Sequence, residues 1–262
     1  MTDAQALLEL AVRLARAAGA LQRERLESEL RIETKSNAID LVTDVDRACE
    51  ALIVDGLRAA RPRDAILAEE GGATGPAQAS WRWVIDPLDG TTNYAHGYPC
   101  FCVSIGLERD GEPLLGVVYQ PILDELFHAL RGGGAFRNGR RIHVSKETAL
   151  ERSLLVTGFA YDRRERPEES LRQFEAFLRR SQALRRDGSA ALDLCGVACG
   201  RFDGYWELGL KPWDVVAGGL VVEEAGGRVS DLAGAPAPWS GAQMLASNGR
   251  IHEAMLRVLA EA

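Results

Sequence analysis

The chain has 262 residues, 46% of them hydrophobic and 26% charged, which suits a globular protein that buries a core without disulfides or a structural metal. Lys and Arg number 31 and Asp and Glu 38; the formal charge of −7 argues against autonomous nucleic-acid binding, whose affinity comes from neutralising phosphates. The longest apolar run, residues 215–222, is far short of the roughly 20 residues of a membrane span, and five cysteines, an odd number with no secretory signal ahead of them, fit a reducing, cytoplasmic setting.

In chain order, Leu7, Ala11, Leu14, Ala18 and Leu21 step by fours and threes and predict an amphipathic helix. A short strand is expected near 30–33. Thr43 then caps a second helix, with Asp46 placed as in a capping box; that helix carries Cys49, Ile53 and Leu57 and ends before Pro62. Residues 65–68 and 83–85 read as short buried strands, each delivering acids at its end. From 101 to 130 the pattern becomes a meander, turning at Asp110-Gly111 and again at 121–124. Gly132 to Gly134 and Asn138-Gly139 predict further tight connections. Beyond residue 150, strands at 153–157, 228–230 and 244–246 alternate with helices at 167–180, 190–199, 213–225 and 251–259. The chain thus divides into an α+β portion, 1–148, with an antiparallel sheet, and an α/β portion, 149–262.

The segment WVIDPLDGTT at 83–92 carries the clearest chemistry. An apolar strand ends at Asp86, Pro87 fixes a turn, and Asp89 brings a second carboxylate. Gly90 permits close backbone approach, and Thr91 and Thr92 open a helix whose N-terminus suits a phosphate. Two hard oxygen ligands beside such a cradle suit Mg²⁺. In isolation an Asp-Pro-x-Asp is better read as a turn and a cap. Glu69 and Glu70 also end a strand, however, and Asp214 opens an apolar helix, so several acids stand at element ends, where sites are built. Carboxylates about 5 Å apart repel by roughly 3 kcal/mol per pair at an effective dielectric near 20, so such a cluster calls for cations.

With DLVTDVD at 40–46, AEEG at 68–71, WVIDPLDGTTNY at 83–94, GSAALDL at 188–194 and WDVVAGGLVVEEAGG at 213–227, the chain resembles the inositol monophosphatase family, its bacterial members above all. The likeness spans nearly the whole chain. It implies a layered αβαβα sandwich, a homodimer, inhibition by lithium, and Mg²⁺-dependent hydrolysis of a small sugar or inositol monophosphate with two or three ions per site. Carried over by motif, Glu69, Asp86 and the Leu88 carbonyl hold one metal, and Asp86, Asp89 and Asp214 a second. Asp46 and Thr91 orient the attacking water, with Lys35 near them. Gly90, Thr91 and Thr92 touch phosphate, while Ser189, Ala190 and Glu207 line the pocket for the alcohol. Glu70 is not expected to be a ligand.

Other features read as structural. His96, His128, His143 and His252 are scattered singly; Cys195 and Cys199 lack the further ligands of a zinc site; the Arg pairs at 163–164, 179–180 and 185–186 suit solvated faces; and the five tryptophans suit the core. Relatives with the same metal core act on histidinol phosphate, fructose bisphosphate or phosphoadenosine phosphate. An inward-facing Asp187 would favour an amino-bearing substrate, but a solvated loop charge is expected. The resemblance to bacterial members also implies an alternative of another class, partner binding in a transcription complex.

Overall fold

A computed structural model describes residues 3–76, 78–165, 167–237 and 239–262. Helix α1 (Asp3–Arg25) leads to a two-stranded ribbon, β1 (Ile32–Thr34) and β2 (Leu41–Thr43), which runs directly into α2 (Asp44–Ala60). Next come β3 (Ala65–Ala68), β4 (Gly72–Thr74), β5 (Trp81–Asp89), the short α3 (Thr91–Ala95) and the meander β6 (Cys102–Arg109), β7 (Glu112–Gln120), β8 (Glu125–Leu130), β9 (Gly134–Arg137) and β10 (Arg140–Arg141). These strands form an eight-stranded sheet in the order β10-β9-β8-β7-β6-β5-β3-β4, antiparallel except where β3 pairs with β5.

The remaining elements are β11 (Leu154–Thr157), α4 (Glu168–Leu178), β12 (Ala183–Arg185), α5 (Ala190–Ala198), β13 (Gly204–Leu208), α6 (Pro212–Glu224), β14 (Arg228–Ser230), β15 (Gln243–Ser247) and α7 (His252–Glu261). Their five strands make a second, mixed sheet in the order β12-β11-β13-β15-β14.

Apolar faces fix the stacking. Helices α1 and α2 bury their stripes on one face of the large sheet, in a core that includes Ala11, Ile53, Trp83 and Ile105. Helices α5 and α6 are apolar almost all round, as helices buried on two sides must be. They lie between the two sheets with Val118, Leu194, Val215 and Met244. Helices α4 and α7 cover the far side of the small sheet around Phe177, Trp206 and Met255. The order is α, β, α, β, α, the layered sandwich that the motifs implied.

Most expected elements form, with shifted ends. The strand thought to stop at Asp86 continues to Asp89, because an irregularity in the β5–β6 register between those residues absorbs Pro87. The short strands β2, β4, β9, β10, β12 and β13 were not expected, being too brief or too rich in Gly and Arg to carry an alternating pattern.

The middle layer sits very close to the large sheet. Gly106 and Gly116 are partners across β6 and β7, and a Cβ on Gly116 would stand 2.5 Å from the Ala217 carbonyl oxygen of α6. Substituting Gly116→Ala is expected to destabilise the fold by about 1–3 kcal/mol, read as a lower urea midpoint with an unchanged slope.

His252 is fully buried, with Nε2 2.9 Å from Ser230 Oγ and Nδ1 2.9 Å from Ser247 Oγ, so it ties β14 to β15. Burial first, then Arg228, holds its pKa down at about 4. A histidine lowered in the folded state gives stability that is full above its unfolded value near 6.5 and is lost as pH falls toward about 4. Melting temperature should fall over that window, and His252→Asn should show a lower melting temperature at pH 8 but a shallower acid slope.

Candidate active site

Two adjoining chambers open where the ends of β3 and β5 meet the N-termini of α5 and α6. The first, about 160 Å³, is lined by Lys35, Asp40, Glu69, Asp86, Leu88, Asp89, Gly90, Thr91 and Asp214 among others. The second, about 80 Å³, is lined by Asp89, Gly90, Ser189, Ala190, Glu207 and Asp214 with Phe159, Tyr161 and Arg186. The four carboxylates singled out in the sequence therefore face a single space, although more than 140 residues of chain separate Glu69 from Asp214. A larger cavity, about 530 Å³, lies elsewhere, between α2 and β3–β4.

Each acid is held by its own local device. Asp86 Oδ1 accepts the Leu88 N–H at 2.9 Å inside the β5 irregularity. Asp89 Oδ2 accepts Ser189 Oγ and the Ala191 N–H, both at 2.7 Å, at the start of α5. Asp214 Oδ2 accepts the Lys211 N–H at 2.7 Å, closing the first turn of α6. Glu69 follows β3, its N–H bonded to the Ile85 carbonyl at 3.1 Å, and its Oε1 takes Lys35 Nζ at 2.7 Å. Lys35 also bonds Glu70, which lines the larger cavity and neither chamber. Thr43 caps α2 in the expected capping box with Asp46, and Thr91 Oγ1 lies 2.9 Å from Asp46 Oδ1 and 3.1 Å from the Leu88 carbonyl. Gly90 begins α3 with φ 99°, and a Cβ there would meet the Cys100 carbonyl at 2.9 Å, so the position takes glycine.

The electrostatics follow from burial. Asp86 is raised well above the usual carboxylate range by desolvation first, then by Glu69, Asp89 and Asp214. Asp89 and Asp214 rise for the same first reason. Glu69 is pushed up to about 7 by burial against the opposing pull of Lys35. Glu207, also desolvated, stands at about 7 and accepts the Tyr205 hydroxyl at 2.8 Å. Gathered negative charge of this kind is unfavourable until a cation offsets it.

Among the described residues no group of three or more His, Cys, Asp or Glu side chains is arranged to hold a metal ion by itself. The donor chemistry nevertheless fits Mg²⁺, which takes one or two carboxylates and completes its shell with water and substrate phosphate. Asp86, Asp89 and Asp214 each keep one oxygen clear of those backbone bonds, and the Leu88 carbonyl lines the same chamber.

Of the site residues marked in the sequence, Thr92 and Asp46 line neither chamber: Thr92 is exposed, and Asp46 is fully buried and connects to the first chamber through its bond to Thr91. The helix at 91–95 buries Thr91 and Tyr94 and leaves Thr92 on its outer side, so of the two threonines only Thr91 reaches a chamber. Asp187 lines a different cavity with Cys100, Gln120 and Arg201, so it does not face Glu207 across the alcohol chamber. Cys195 lies in the core and His128 stacks on Phe136. Trp213 lines the carboxylate chamber where a core role was expected. Arg186, expected on a solvated face, instead lines the second chamber, whereas Tyr161, Phe159 and Lys211 went unnoticed because no motif letter marks them and their loops show no periodicity.

Comparison with known proteins agrees with this geometry. The model of the inositol monophosphatase family matches residues 3–262. This chain belongs to that family. It is therefore a phosphatase, a metal-dependent hydrolase. An inositol-1-monophosphatase of Synechocystis is 47% identical over 99% of this chain and 90% of its own, and a protein named Nus factor SuhB from Xylella fastidiosa is 43% identical over 96% and 94%. The structure of an inositol monophosphatase from Anabaena superposes with a TM-score of 0.91 at 47% identity, covering 100% of this chain and 98% of the other. An IMPase/NADP phosphatase complexed with Mg²⁺ and phosphate gives 0.85 at 27% identity, over 97% and 95%.

Removing one member of the acidic cluster should relieve repulsion in the metal-free protein. Asp86→Asn is expected to raise the melting temperature in EDTA at pH 8 and to abolish the upward shift that Mg²⁺ gives the unsubstituted enzyme, both measured by thermal denaturation.

Proposed function

We propose that the enzyme hydrolyses inositol monophosphate to inositol and phosphate with two or three bound Mg²⁺ ions. The observation that carries this reading is the pairing of chambers: Glu69, Asp86, Asp89 and Asp214 around one, and Glu207 with Ser189 and Ala190 around its neighbour. The first suits a metal-bridged phosphoryl group. The second offers a carboxylate to the hydroxyls of a polyol.

In this reading Glu69, Asp86 and the Leu88 carbonyl hold one ion, and Asp86, Asp89 and Asp214 another. When bound, the ions neutralise the phosphoryl oxygens and make water acidic enough to attack. The chain's own residues supply direction. Thr91 Oγ1 takes the proton of the attacking water as its own passes to Asp46 Oδ1, 2.9 Å away. Asp46 is fixed for this by two bonds from Thr43, the backbone one at 2.9 Å. Lys35, kept charged by Glu69 and Glu70, lines the same chamber and offers its ammonium to the phosphoryl group. Water adds to phosphorus, the bond to the alcohol oxygen breaks, the departing oxygen takes up a proton from solvent, and Asp46 later returns its own to solvent. Positioning by a general base gives only about 10²–10⁴-fold, so most of the acceleration is assigned to charge neutralisation.

The discriminating measurement is hydrolysis, with Mg²⁺, of inositol 1-phosphate, histidinol phosphate, fructose 1,6-bisphosphate and phosphoadenosine phosphate. The highest kcat/KM is expected for inositol 1-phosphate, and an approximately 100-fold preference for histidinol phosphate, about 2.7 kcal/mol, would reverse the substrate assignment. Asp86→Asn should lose roughly 10³-fold or more in kcat, since several kcal/mol of charge stabilisation depend on the ions it holds.

A second reading is favoured by the relative named Nus factor SuhB: partner binding in a transcription complex. If both roles exist, Asp86→Asn separates them by losing hydrolysis while retaining the partner. Family membership also supports a homodimer, which light scattering on the purified protein tests.

A further inference from the structure

Tyr161 stands apart from the other groups around the two chambers. It lies on the connection between β11 and α4 and lines both chambers, together with Asp89, Gly90 and Asp214. The phosphorus-to-alcohol bond of a bound ester has to cross the space that these shared residues border. Asp89 and Asp214 are acids already engaged by backbone N–H groups, and Gly90 has no side chain. Tyr161 is the remaining shared wall, and it brings a neutral donor.

That donor is unengaged. The hydroxyls of Tyr94, Tyr119 and Tyr205 each donate to a carbonyl or carboxylate, whereas among the described residues the Tyr161 hydroxyl has no hydrogen-bond partner. The residue is 46% exposed, so one side of the ring meets solvent. Burial of its hydroxyl first, and after it the charges of Glu69, Asp40, Asp214 and Asp89, keep the phenol above its ordinary range. A phenol so placed keeps its proton and approaches an anion as a donor.

The segment that carries it is tied down. Asn37 Nδ2 donates to the Tyr161 carbonyl at 3.1 Å, and Asn37 belongs to the β1–β2 turn that also carries Lys35 and Asp40. Asn37 is set in turn by its own Oδ1, which accepts the Ile39 N–H at 3.0 Å. The two loops therefore meet across the mouth of the first chamber, and Tyr161 and Lys35 are positioned by one junction.

We propose that Tyr161 is a catalytic residue of this phosphatase: its hydroxyl donates to the phosphoryl group where the ester passes from one chamber to the other, and its ring roofs that passage. The inference rests on the reading of the chambers given under Proposed function. It adds a neutral donor from the β11–α4 connection to those that the first chamber already offers the phosphoryl group.

The test is Tyr161→Phe in the full-length, Mg²⁺-loaded enzyme, with inositol 1-phosphate and p-nitrophenyl phosphate as substrates and inorganic phosphate as a competing ligand. Loss of one donor should lower kcat/KM about tenfold for both substrates and raise the inhibition constant of inorganic phosphate by a similar factor, with melting temperature unchanged. Tyr161→Ala should add a further loss by unroofing the passage. An unchanged phosphate inhibition constant in the Phe variant, or an activity loss matched by a fall in melting temperature, overturns the assignment. Should the unsubstituted enzyme hydrolyse neither ester, the reading of the chambers fails with it; an active enzyme indifferent to Tyr161→Phe removes the role of Tyr161 alone.

Discussion

Mutual repulsion among Glu69, Asp86, Asp89 and Asp214 is the constraint on which the rest of this molecule is built. Left to themselves in water, four carboxylates drift apart. Here they are driven into one partly desolvated space, and Asp86, at 2% exposure, is the deepest of them. Only a rigid frame can hold such a group together between catalytic cycles, and the five layers are that frame.

The frame works because each acid sits at the end of an element whose other residues are anchored in a core. Strand β5 carries Asp86 and Asp89 out of the centre of the large sheet, flanked by Trp83 and Ile85 in the apolar core. Helix α6 is pressed between the sheets along most of its length and presents Asp214 from its first turn. Because α6 belongs to the second half of the chain and β5 to the first, the site spans both. The chemistry thus depends on the close approach of α6 to Gly106 and Gly116, far from any reacting atom.

Much of this was legible in the sequence, for physical reasons that differ by element. Helices α1 and α2 announce themselves through apolar stripes, and Thr43 with Asp46 marks a helix start because capping is a local interaction. The ligand candidates were legible because acids at element ends beside Gly and Pro are locally unusual. What stayed hidden was long-range. Nothing near Ser189 indicates that its hydroxyl meets Asp89 a hundred positions earlier in the chain. Strand β13 was concealed because Gly204 and two aromatics mask its alternation. The extension of β5 through Pro87 contradicts the ordinary expectation for proline in a strand, and the exception serves to bring Asp86 and Asp89 into the same chamber. Tyr161 was illegible because its value comes from which spaces it borders, and a loop carries no pattern of that kind.

The backbone bonds to the site carboxylates also fix their orientation. Leu88 N, Ala191 N and Lys211 N each occupy one oxygen of Asp86, Asp89 and Asp214 respectively. Each side chain then keeps its second oxygen free of these backbone contacts, so the three present their open oxygens from fixed directions. The same amide groups that stiffen the acids therefore lessen the ordering that a loose cluster would have to undergo on receiving a cation.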